Sequence, residues 1–129
     1  PGIVIAILNQ EEQRFRVRLV ESDQRKCAFL RTAIRELGLT ATVDNERIEN
    51  AQYLEADILS ARALSDLSQL LAYAEMHLTP GGVAIFPKGQ NWQQEVEETQ
   101  HLWSYQFEAV TSKTNSAAAV LLIKDITRA

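Results

Sequence analysis

With 129 residues, 46% of them hydrophobic and 23% charged, the chain has the makeup of one globular domain and not of a low-complexity or disordered segment. At this length roughly two thirds of the unfolded surface can be buried without a disulfide or metal staple, and the single cysteine, Cys27, excludes both a disulfide framework and a cysteine-based zinc cluster. Thirteen Lys and Arg against 17 Asp and Glu give a formal net charge of -4, so any contact with nucleic acid has to be local.

The sequence opens on Pro1-Gly2 without an initiator Met and runs at once into apolar residues 3–8, as expected of the remainder of a longer protein cut inside an element. The Pro-Gly start favours a helix stub over residues 2–10. Phe15, Val17 and Leu19 alternate with Arg14, Arg16 and Arg18, a period of two that predicts a strand closing on Val20 and Glu21. Cys27, Leu30, Ile34 and Leu37, with Ala33 beside them, recur at helical spacing over residues 24–37; Ser22 or Asp23 serves as N-cap and Gly38 as the stop. Residues 40–43 and 56–60 read as short strands separated by a polar turn over 44–50. Leu64, Leu67, Leu70, Leu71 and Ala74 mark a second amphipathic helix that ends before a Thr79-Pro80-Gly81-Gly82 turn, which delivers a strand over 83–86. Asn91 with Gln94 resembles a capping box opening a helix toward His101. Residues 107–111 and 118–123 form a hairpin through Lys113-Thr114-Asn115-Ser116.

Alternating strands and helices build a parallel sheet, here with an antiparallel hairpin at its edge, and such sheets bind ligands beyond the carboxyl ends of their strands. Four groups stand there: Glu21, the stretch Arg47-Ile48-Glu49, Arg62 and Lys88. Glu21 is placed to accept both hydroxyls of a ribose, or else to act as a helix-start charge. Arg47 and Glu49 read equally as solvated loop charges, Arg62 as a ligand contact or a structural ion pair, and Lys88 as a cation at the site or a bare surface lysine. His77, at a helix end where a cation suits the dipole, and His101 have no partners at metal-ligand spacing. Cys27 reads as core, and Trp92 and Trp103 as core or rim rather than base-stacking residues. There is no nucleophile elbow, no Ser/His/Asp order and no P-loop.

In series, Pro1-Gly2-Ile3, Leu19-Val20-Glu21-Ser22 with Arg25-Lys26 and Phe29-Leu30-Arg31, Asn45-Glu46-Arg47-Ile48-Glu49, Ser60-Ala61-Arg62-Ala63 and Lys88-Gly89-Gln90 resemble the RsmG/GidB family, bacterial methyltransferases that modify N7 of a guanine in 16S ribosomal RNA with S-adenosylmethionine. The resemblance covers nearly the whole chain. It implies the class I methyltransferase fold, a Rossmann-like α/β sheet of seven strands with an antiparallel last strand, in one domain over residues 1–129. It implies that the first strand, the glycine-rich loop that should precede Pro1 and the N-terminal helices are missing from this chain. The implied cofactor residues are Pro1, Gly2, Glu21, Ile48, Glu49 and Arg62, with Ile48 and Glu49 flanking the adenine; Arg47 and Lys88 are the basic positions suited to RNA phosphate or the target base. The family often has Asp where Glu21 stands, a change that keeps the charge and lengthens its reach.

Guanine N7 carries an unprotonated lone pair, so the absence of an acid/base pair is expected of this chemistry, and alignment of donor and acceptor carries the catalysis. The implied partner is 16S rRNA or the small ribosomal subunit, met by a monomer. No uninterrupted apolar run approaches the ~18 residues that cross a bilayer, and no basic segment precedes a hydrophobic stretch, so a cytoplasmic location is expected. A Rossmann oxidoreductase using NAD would also place an acid at a strand end, although the closing hairpin favours the methyltransferase. A phosphoreceiver fits the length but needs an acid at the end of the strand that Asp57 begins, and a final helix. A methyltransferase-like fold without catalysis, serving only as a binding module, is the third alternative.

Overall fold

The computed structural model describes residues 2–10, 15–62, 66–111 and 117–129. The chain divides into two units, Pro1–Gln52 and Tyr53–Ala129. In the first, helix α1 (Gly2–Asn9) precedes strand β1 (Val17–Glu21), helix α2 (Gln24–Leu37) and strand β2 (Ala41–Asn45), and a 3-10 turn over Ile48–Asn50 follows. Strands β1 and β2 pair in parallel with Val17 opposite Ala41 and Glu21 opposite Asn45, so both end on one rim. The helix expected over residues 2–10 and the one over 24–37 are both present. The strand expected from Phe15 begins at Val17 instead; Phe15 is an exposed bend, where Asn9 accepts its N–H (3.0 Å) and donates to its carbonyl (2.7 Å).

Helix α2 stands where its end signals put it. Asp23 Oδ1 accepts from Arg25 N (2.8 Å) and Lys26 N (3.3 Å), and Gly38 adopts φ 65°, the left-handed conformation in which glycine meets no Cβ penalty. Asp23→Ala is therefore expected to lower stability by about 1 kcal/mol, while Asp23→Asn stays close to wild type; paired thermal melts check both. The inward stripe holds Cys27 fully buried, and Leu30, Ala33 and Ile34 half-buried. Leu37, predicted to share that stripe, is 50% exposed.

In the second unit, strand β3 (Ala56–Ser60), helix α3 (Leu67–His77), strand β4 (Leu78–Lys88), helix α4 (Trp92–Thr99), strand β5 (Trp103–Thr111) and strand β6 (Ala119–Arg128) build a sheet ordered β3-β4-β6-β5. Strands β3 and β4 are parallel, and β6 runs antiparallel to both of its neighbours, the closing antiparallel pair that the sequence predicts. The loop assigned to that hairpin, 113–116, lies outside the described residues. Alternate residues of the strands face α3 and α4: Ala84 and Phe86 from β4, Leu121 and Ile123 from β6, and Trp103 from β5 pack with Leu67, Leu70, Leu71, Ala74 and Val96. Burial pushes the Tyr105 phenol above its ordinary 10.0, opposed by its hydrogen bond with Thr99 (2.7 Å).

Two local expectations are corrected. Thr79-Pro80-Gly81-Gly82 is no turn ahead of a strand but part of β4 itself: two steps along β3, Ala56 to Ile58, face five along β4, Leu78 to Val83, so the Pro-Gly-Gly segment is a bulge within a paired strand. The capping box at Asn91 and Gln94 does not form; Asn91 sits at φ -92° and ψ 14° with no side-chain cap, and Gln94 donates to Glu98 (3.1 Å). His77 stands at the end of α3, as expected, and is fully buried, with Nδ1 accepting from Leu54 N (3.3 Å).

Candidate functional site

Two strand-end rims carry the predicted residues, one in each unit. In the first unit, Glu21 closes β1 beside Asn45, which closes β2. The strand end is fixed from two sides: Cys27 Sγ donates to the Glu21 carbonyl (3.2 Å), and the Asn45 amide, turned to satisfy its neighbours, donates to the carbonyls of Glu21 (3.2 Å) and Ser22 (3.1 Å). Asn45 is a contributor that the sequence reading left out; its place at the end of a β-branched run, opposite an acid, was the available signal.

Asp23 caps α2, so the N-cap hydrogen bonds do not involve the Glu21 carboxylate. One oxygen accepts from Ser22 N (2.9 Å) and the other faces Lys26 Nζ at 3.9 Å, with the side chain 28% exposed. A carboxylate has about four acceptor positions, so capacity remains for two hydroxyls of a ligand. Beyond β2, Arg47, Ile48 and Glu49 enter the 3-10 turn. Arg47 Nη1 lies 3.5 Å from Glu49 Oε1, with side chains 69% and 39% exposed, a solvated pair of small energetic weight that a ligand can part. Ile48 between them is half-buried and offers an apolar surface. Gly2 begins α1 against Leu19, whose Cδ2 occupies the place of any Cβ there; close packing on β1 is a sufficient reason for glycine at this position. Pro1 lies outside the described residues.

In the second unit, Arg62 follows β3 in an exposed bend, just after Ala61 N extends the ladder by donating to Ile85 O (3.3 Å). Among the described residues it makes no ion pair. Ala63, the last residue of the Ser-Ala-Arg-Ala word, lies outside the described residues. Lys88 ends β4, next to β3 in the parallel pair, and is not a bare surface lysine. Its side chain is 13% exposed and its Nζ lies 3.0 Å from Glu95 Oε1. The same oxygen accepts from Leu67 N (3.1 Å) at the start of α3. Glu95 was not singled out from the sequence, because its partners are distant along the chain and its acidic neighbours Glu97 and Glu98 look alike.

Both tryptophans pack, while His101 is exposed. Trp103 is buried, with Nε1 donating to Ser68 Oγ (3.4 Å) and the Arg128 guanidinium 4.6 Å from the ring centroid, and Trp92 packs on the same core. Among the described residues no helix is long and apolar enough to cross a membrane.

The family model for rRNA small subunit methyltransferase G matches residues 1–122. A protein of Ruegeria sp. (strain TM1040) named "Ribosomal RNA small subunit methyltransferase G" is 49% identical over 129 residues, which cover 99% of this chain and 63% of that protein. A protein of the same name from Ruegeria pomeroyi is 50% identical, with the same coverage of each. The chain thus spans less than two thirds of the length of these curated relatives. Among solved structures, a ribosomal protein L11 methylase from Lactobacillus delbrueckii subsp. bulgaricus superposes with a TM-score of 0.73 at 12% identity, over 95% of this chain and 64% of that one. A methyltransferase from Pyrococcus furiosus superposes with a TM-score of 0.66 at 17% identity, over 94% and 68%. These likenesses show the fold, the class I methyltransferase architecture with its antiparallel closing strand.

Proposed function

Since the chain belongs to the rRNA small subunit methyltransferase G family, we propose that residues 1–129 form part of a single domain that transfers a methyl group from S-adenosylmethionine to N7 of a guanine in bacterial 16S ribosomal RNA. The family match across residues 1–122 carries this reading. It also weighs against a dinucleotide oxidoreductase and a phosphoreceiver, neither of which shares that family.

The residues present suit the cofactor's nucleoside. Glu21 retains acceptor capacity at the end of β1 for ribose hydroxyls, and Ile48 supplies an apolar surface for adenine with Glu49 beside it as acceptor. The family resemblance adds Arg62 and the Pro1-Gly2 start to the cofactor set. When bound, S-adenosylmethionine supplies a sulfonium methyl and takes back the S–C electron pair, so that the positive charge passes to the purine as the N7–C bond forms. No proton has to leave N7 first, so this chain's residues are asked to bind and orient. Alignment of this kind can account for roughly 7 to 11 kcal/mol of a barrier. Arg47 and Lys88 are the RNA-facing cations in this reading, hydrogen-bonding phosphate or guanine O6, and the net charge of -4 confines RNA contact to such local groups.

The test uses the full protein with the residues upstream of Pro1. It is expected to move labelled methyl onto N7 of guanine in undermethylated small subunits or their RNA. Glu49→Ala and Arg62→Ala are each expected to weaken S-adenosylmethionine binding, by about tenfold for one lost charge-assisted contact. Wild-type affinity in both variants would remove these two residues from the site, and absence of transfer to any small-subunit guanine would remove the activity.

A further inference from the structure

The Glu95 carboxylate does two things at once. Its Oε1 receives Lys88 Nζ (3.0 Å) from the end of β4 and Leu67 N (3.1 Å) from the first turn of α3. Leu67 N is one of the N–H groups that a helix start leaves without an internal partner, and the helix's own N-cap, Asp66, is committed to Gln69 N (3.0 Å). A glutamate on α4 therefore completes the cap of α3 and anchors the lysine side chain, which is 13% exposed.

We propose that Glu95 is a positioning residue for Lys88: it fixes the direction of the ammonium and cancels its charge, so that Lys88 meets the target base as a hydrogen-bond donor within a neutral pair. The inference rests on the guanine-N7 reading above. Methylation at N7 makes the purine cationic, and an uncompensated ammonium beside it would oppose the charge that develops there. Lys88 paired with Glu95 can still donate to O6 or to phosphate through its remaining protons without that repulsion. The pair also accounts for a lysine this poorly exposed at a strand end, since a cation withdrawn from water needs a partner.

Glu95→Gln separates the two roles, because the amide oxygen can still accept from Leu67 N while the charge is gone. In the full protein, assayed well below a melting temperature that falls as the ammonium loses its partner, it is expected to lower single-turnover methyl transfer at saturating RNA by about tenfold or more, with S-adenosylmethionine affinity within about twofold. RNA affinity should rise, and its dependence on log salt should steepen by about 0.7 to 0.9, because the released ammonium neutralises one more phosphate. In a Lys88→Met background Glu95→Gln should change neither quantity. Wild-type transfer with a wild-type salt slope, an equal change in the Lys88→Met background, or a loss of transfer that merely follows a loss of melting temperature would each overturn the proposal. A wild type that methylates no small-subunit guanine defeats the functional reading instead, and the salt slopes on the same RNA then decide whether Glu95 holds the charge of Lys88.

Discussion

Glu21→Ala in the full protein is expected to weaken S-adenosylmethionine binding by about 100- to 1,000-fold. The magnitude follows from two charge-assisted hydrogen bonds to ribose hydroxyls at about 1.5 to 3 kcal/mol each, partly offset by water, with 1.4 kcal/mol per tenfold. The fold should be nearly indifferent. Asp23 carries the α2 cap, the Glu21 backbone stays held by Cys27 and Asn45, and among the described residues the carboxylate itself meets only Ser22 N and, at 3.9 Å, Lys26. Glu21→Gln keeps one acceptor oxygen and should lose only about tenfold. Calorimetric titration of wild type and both variants, with melting curves alongside, measures this. A loss below about threefold in Glu21→Ala would mean that the carboxylate serves nothing beyond its own turn.

How far the sequence could be read follows from how local each determinant is. Helix α2 was legible to the residue because both its stops, Asp23 and Gly38, act on neighbouring backbone groups. The sequence predicts β4 from Val83 whereas it begins at Leu78, because a Pro-Gly-Gly word signals a turn, and only the facing register of β3 reveals that the chain pairs on either side of a bulge. Strand β6 outruns its predicted end for a similar reason: Asp125 at φ 57° takes up an extra residue opposite β5, and pairing resumes to Arg128. The strand-end positions of Glu21, Arg62 and Lys88 were legible from the alternation of strands and helices. Their surroundings were not, since Lys88 pairs with a glutamate on the following helix that also caps an earlier one.

The largest stability loss is expected at Phe86. Its side chain is fully buried beneath α3 and α4, opposite Leu121 in the β4/β6 register, and surrounded by Leu67, Leu70, Leu71, Trp103 and Ile123 in the core of the second unit. Phe86→Ala removes a ring that these neighbours cannot replace without shifting, so the transfer term and the cavity term add to about 3–5 kcal/mol. Domains are stable by only about 5–15 kcal/mol, so much of the cooperative margin goes with this one ring. Ile85→Ala, one residue away on the other face of β4 where the side chain is half-buried, should cost less than half as much. Denaturant midpoints for the two variants provide the comparison, with an unchanged slope showing that the same surface unfolds. Lys88 lies two residues beyond Phe86 on the same strand, so Phe86→Ala should also lower methyl transfer as the temperature rises, whereas Ile85→Ala should keep transfer to a higher temperature. Equal midpoints for the two variants would mean that the ring contributes no more to the fold than a residue on the half-covered face.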